Sequence, residues 1–122
     1  MPLIGAVMNN SSIYIRFLVL TQAVNSKWTG TEIDLIALRL LEAIAVAHAN
    51  DAPLTVTQAM GLSAIASPAT MHHKLDQLRE ACLIEQTFEG KNRRTKYLVP
   101  TASAAKYFEQ LGKALVLATQ QP

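Results

Sequence analysis

This 122-residue chain has one cysteine, no Lys or Arg in its first 15 residues and no long uncharged apolar run, and each scarcity removes a class of protein. A lone Cys82 forms no internal disulfide, which points to a reducing, cytoplasmic setting rather than a stapled secreted scaffold. Residues 1–15 carry no Lys or Arg, so the basic start of a signal peptide is missing, and Arg16 interrupts the apolar stretch that follows. The second apolar segment, 33–49, is broken by Asp34, Arg39, Glu42 and His48, whereas a spanning helix needs about 20 nearly uncharged residues, so no membrane span is expected. No Ser, His, Cys or acidic residue falls in a nucleophile or metal motif, and neither an enzyme nor a cofactor is expected. His72 and His73 do not converge on one metal ion, because helical side chains one residue apart diverge by about 100°. His48 reads as a helix-end residue, where a cationic ring suits the dipole.

What remains is a chain that can fold. Half its residues are apolar, mean hydropathy is +0.18, and the length suits a single domain over 1–122. Residues 10–28 are densely apolar, with Ser11 and Ser12 as caps. The run is β-branched enough for a strand, but its length and the return at Ala23 and Val24 favour a helix buried on more than one side. A Thr29-Gly-Thr-Glu32 capping box then opens a helix of about 20 residues whose apolar face holds Ile33, Ile36, Leu40, Ile44 and Ala47, ending before Pro53. A second box, Thr55-Val-Thr-Gln58, opens a helix of about two turns that stops at Gly61, read as a left-handed cap. After a turn, Ser67-Pro68 supplies an N-cap and a first-turn proline, and Met71, Leu75 and Leu78 define the inner face of the next helix. Its outer face is polar and basic.

Beyond Leu83 the period changes to two, and Glu89-Gly90-Lys91-Asn92 is a turn joining antiparallel strands over 85–99, stopped by Pro100. Thr101 or Ser103 caps a final helix, 101–119, on which Ala105, Phe108, Leu111, Leu115 and Ala118 share a face. A short helix, a tight turn, a polar-faced helix and then a basic hairpin make a winged helix-turn-helix over 29–100, mainly α with a small β-hairpin.

The stretch "LTVTQAMGLS" followed by "SPATMHHKLDQLREACLIE" resembles the winged-helix bacterial transcription regulators of the MarR type, over about residues 30–118. The wing "EGKNRRTKYLVPT" is a looser match, the turn is lengthened by "AIA", and Cys82 stands where that family usually has Gly. The resemblance implies a homodimeric regulator that binds double-stranded DNA, often with an aromatic effector at the dimer junction, although no effector pocket is identifiable from the residues.

Charge points the same way independently. Residues 67–106 hold seven basic and four acidic side chains, a balance of +3, against three and four, −1, in residues 1–66. The expected DNA contacts are Ser67, Thr70, His72, His73, Lys74 and Gln77 on a recognition helix over 67–81 in the major groove. Lys91, Asn92, Arg93, Arg94 and Lys96 are expected to lie along the phosphates. The terminal helices exceed what a winged-helix core needs, so Phe17, Leu18, Phe108, Leu111 and Leu115 are expected at a homodimer interface. Oxidation of Cys82 would disturb the end of the recognition helix. Two rival readings are a winged helix that docks on protein and a DNA binder serving plasmid or phage replication; apolar anchors on the wing would mark the first, and His, Lys, Gln and Arg stand there instead.

Overall fold

Side-chain caps decide where the helices begin. In the computed structural model, which describes residues 9–27, 33–89 and 91–120, Asn9 accepts the backbone N–H of Ser12 at 2.7 Å and opens α1 (Asn10–Lys27), so the cap lies ahead of the expected Ser11 and Ser12. Asp34 accepts from Ala37 N at 2.9 Å and opens α2 (Leu35–Ala49); the box expected at Thr29–Glu32 lies outside the described residues. Thr55 and Gln58 exchange both bonds of a capping box ahead of α3 (Val56–Met60), as expected. Ser67 opens α4 (Pro68–Glu80), with proline in the first turn as the sequence indicates. The hairpin is β1 (Ile84–Glu89) against β2 (Asn92–Pro100), antiparallel, with a register shift between Phe88 and Glu89. Thr101, one of the two expected caps, accepts from Ala104 N at 3.2 Å and opens α5 (Ala102–Thr119).

The helix ends are less conventional. Both α2 and α4 close with paired bonds in which the residue after the cap and the one beyond it turn back onto the last turn. Asp51 N–H reaches His48 O and Ala52 N–H reaches Ala47 O; Cys82 N–H reaches Arg79 O and Leu83 N–H reaches Leu78 O. That motif needs a left-handed residue, and it is filled by Asp51 at φ 57° and Cys82 at φ 60° rather than by glycine. Gly61, expected to be left-handed, has φ −84°: the chain leaves α3 by an ordinary turn, and a Cβ there would meet Gln58 O at 3.4 Å, a normal contact.

The chain divides into two compact units. Residues 31–105 hold the winged helix-turn-helix, whose largest fully buried side chains among the described residues are Leu40, Leu41 and Ile44 of α2, Met71 and Leu78 of α4 and Leu98 of β2. Each contributes about 1.5–3 kcal/mol by leaving water. The base of the wing gains a third, one-rung strand the sequence reading lacked: Leu98 N–H donates to Leu54 O at 2.8 Å and Thr55 bridges Tyr97. The other unit comprises residues 1–30 and 106–122, where the Tyr107 hydroxyl donates to Asn25 Oδ1 at 2.8 Å.

Two expectations about burial need correction. No described side chain of α1 is buried; Ile13, Phe17, Leu20 and Val24 are half-covered, and Tyr14, Ile15 and Val19 are exposed. On α5 the buried positions are Ala104, Tyr107, Ala114 and Ala118; Ala105 and Leu115 are exposed, because the inner face is rotated from the expected one by about one residue.

Strain at Cys82 is measurable. A left-handed residue with a Cβ costs about 1–2 kcal/mol, and glycine's extra unfolded-state entropy offsets about 0.4–1 kcal/mol of any relief. Cys82→Gly is therefore expected to stabilise by between about 0 and 1.6 kcal/mol, whereas β-branched Cys82→Val destabilises. Urea midpoints at constant slope are the check, and equal stability of the Gly and Val variants contradicts the geometry.

Candidate nucleic-acid interface

Helix α4 presents its faces unevenly. Met71, Leu75 and Leu78 are buried, Thr70, Lys74 and Gln77 lie along a half-buried flank, and Ala69, His72, His73, Asp76, Arg79 and Glu80 are exposed. Of the expected contacts, His72 and His73 therefore point to solvent. Ser67 is also exposed, but its hydroxyl is occupied at the N-terminus, where it caps the helix and donates to Thr70 Oγ1 at 3.1 Å.

Lys74 is placed differently from the outward cation expected of it. Its side chain is only 12% exposed, and its ammonium donates to Asp34 Oδ2, the carboxylate whose other oxygen caps α2. The Lys74 hydrogen bond, aided by the Ala37 N–H, holds the Asp34 carboxyl below the usual carboxylate range. With Lys74 withdrawn, the exposed face of α4 carries Arg79 against Asp76 and Glu80, so it is polar but not basic. Gln77 is also drawn in: its Oε1 is buried and has no partner among the described residues. An amide in that state retains an acceptor that a donor on a nearby surface, or a water, would satisfy.

Basic character is concentrated in the wing. Lys91 at the turn and Arg94 and Lys96 on β2 are exposed; the side chains of Asn92 and Arg93 lie outside the described residues. Strand alternation puts Arg94, Lys96 and Leu98 on one face, so that face is charged toward the tip and buried at the base. Beside it, a cleft of about 330 Å³ is lined by Arg94, Thr95 and Lys96 together with Thr55, Val56 and Thr57. The three threonines were not expected to join the basic residues; Thr55 and Thr57 are brought there by the segment after Pro53, whose Leu54 and Thr55 form the third strand. Hydroxyls beside guanidinium and ammonium groups are suited to phosphate oxygens.

Among the described residues no group of His, Cys, Asp and Glu is arranged to hold a metal ion, and no helix is long and apolar enough to cross a membrane. No protein-family model matches the chain, and no curated protein does. Solved structures do match its fold. RV1404 from Mycobacterium tuberculosis is similar at TM-score 0.58 and 16% identity, over 88% of this chain and 71% of its own. The transcriptional regulator Tm0710 from Thermotoga maritima is similar at 0.59 and 12%, over 86% and 66%, and YusO from Bacillus subtilis at 0.53 and 18%, over 88% and 67%. The likeness bears out, as a fold, the winged-helix resemblance carried by the helix-turn-helix stretch.

The Asp34–Lys74 pair sets a pH dependence. A carboxyl whose pKa is lowered by folding adds stability above its unfolded value, and that stability is lost as pH falls through the folded value. The stability difference between wild type and Lys74→Met should thus be constant near neutrality and narrow in acid, below the ordinary carboxylate range. A carboxyl-carbon NMR titration should also show Asp34 moving up in Lys74→Met; an unmoved Asp34 contradicts the pairing.

Proposed function

We propose that the chain is a homodimeric, sequence-specific double-stranded DNA-binding protein that regulates transcription from the cytoplasm. The observation that carries this reading is the placement of Arg94, Thr95 and Lys96 with Thr55 and Thr57 around one cleft beside a helix-turn-helix. In this reading the wing and the start of α3 hold phosphates, and the exposed N-terminal half of α4, from Ala69 through His72 and His73, enters the major groove. Thr70 and Gln77, on the flank, reach base edges only at the margin of that face, and the expected role of Lys74 passes to the wing. Sharing its fold with a protein described as a transcriptional regulator favours transcription over a replication role.

Dimerisation is supported by apolar surface on the terminal helices. Tyr14, Ile15 and Val19 of α1 and Leu115 and Val116 of α5 are each more than half exposed, and Leu18 and Leu117 are partly so. An open apolar hollow of about 630 Å³ runs along α5 beside Gly112, Val116 and Leu117. A second copy is the occupant that brings two recognition helices onto one duplex face, about 34 Å apart. Phe17, Phe108 and Leu111, which are half-covered, take the border of that interface, and Leu18 and Leu115 its centre.

Selection from a random DNA pool is expected to return a two-fold symmetric site. Arg94→Ala with Lys96→Ala should weaken all sequences alike and flatten the log–log salt dependence by about 0.9 per lost phosphate contact; unchanged affinity at fixed salt removes the wing from the interface. Val19→Glu with Leu115→Glu should convert the dimer to monomer or aggregate and abolish site binding. A wild-type chain that sediments as a folded monomer at micromolar concentration overturns the dimer.

A further inference from the structure

Lys74 sits in the middle of the helix read as the recognition helix, yet its ammonium faces away from the exposed side. Residues on either side of it in sequence, His73 and, two beyond, Asp76, are open to solvent, while Lys74 is held by a carboxylate at the start of another helix. Asp34 is well built for that hold. One oxygen accepts from Ala37 N–H, which fixes the carboxylate at the positive end of α2, and the other is left to Lys74. The Lys74 hydrogen bond also favours the ionised form of that carboxylate and lowers the pH at which it takes up a proton. The lysine's four-carbon stem is flexible, so without that acceptor the ammonium is free to swing along the flank shared with Thr70 and Gln77 toward the exposed face.

We infer that Asp34 withholds the Lys74 charge from DNA, and so lowers the sequence-independent part of the affinity for duplex. The inference rests on the DNA-binding reading above. A lysine on a phosphate adds affinity for every sequence and discriminates among none, so withholding one weakens binding to specific and random duplex alike and removes one contact from the salt dependence. Asp34 is in this sense a positioning residue that acts through Lys74 and touches no nucleic acid.

Asp34→Asn isolates the effect, since Asn caps a helix as well as Asp and only the charge is lost. On random duplex DNA, this variant is expected to bind more tightly than wild type and to steepen the log–log salt dependence by about 0.9 per subunit. Lys74→Met, which keeps an apolar stem, should leave the wild-type slope unchanged, and Asp34→Asn with Lys74→Met should return to it. A shallower slope in Lys74→Met places the lysine on DNA already and overturns the inference, as does a wild-type slope in Asp34→Asn. Amine labelling of the free protein reads the same hold without DNA: Lys74 should react slowly beside Lys91 and Lys96 in wild type and at a comparable rate in Asp34→Asn. Fast labelling of Lys74 in wild type overturns the hold itself, whereas slow labelling in a protein that binds no duplex overturns the DNA reading and, with it, the withholding.

Discussion

The hydroxyl of Thr101 lies where three parts of the winged-helix unit meet. It donates to the Cys82 carbonyl at 2.6 Å and accepts the Ala104 N–H at 3.2 Å, while the Thr101 backbone N–H donates to Leu83 O at 3.1 Å. One residue therefore follows the end of β2, begins α5 and fastens the exit of α4. The exit needs fastening, because Cys82 is left-handed without the freedom glycine brings. The Leu83 N–H that closes α4 and the Leu83 carbonyl that receives Thr101 belong to one peptide-linked turn, so the direction of α4 and the root of the hairpin are set together. In the proposed function that angle matters, because the exposed face of α4 and the basic edge of β2 address one partner only if it is fixed.

Charge is distributed in a way its total conceals. The described cations of the wing are exposed, the lysine of α4 is paired, and the exposed residues of α4 include two carboxylates and one guanidinium. In the functional reading this separates tasks. Electrostatic attraction, which is indifferent to sequence, comes from the hairpin, and the groove-facing helix is left with imidazoles and a small residue, Ala69, whose contacts depend on shape and hydrogen bonding.

Local signals were legible and distant ones were not. Thr55-Gln58 and Ser67-Pro68 each act within a few residues and form as the residue pattern indicates, as does the antiparallel pairing of β1 with β2. The order of elements then sufficed for the fold. Lys74 could not be read from its neighbours, because its partner Asp34 is far away in sequence and the helical position alone leaves it on a flank. The same holds for the Leu54–Leu98 bond, which turns a loop segment into a strand. Asp34 was not among the expected caps, because between Ile33 and Leu35 it reads as an interruption of an apolar run rather than as a helix start. The inner face of α5 was misjudged because small alanines and large leucines both count as apolar, whereas close packing selects the alanines.

The one-rung strand at residues 54–55 also bears on self-association of the hairpin. A two-stranded ribbon has two edges with unpaired peptide groups, and either is a template for adding another chain. Along β2, the edge at Tyr97 and Leu98 is already capped by Leu54 and Thr55, and farther out it carries the charged Lys96 and Arg94. The opposite edge, β1, is six residues long, bends at the register shift after Phe88 and carries Glu85. A projecting sheet small enough to be marginal alone is in this way kept from recruiting copies of itself edge to edge, which lets the wing remain uncovered at high local concentration.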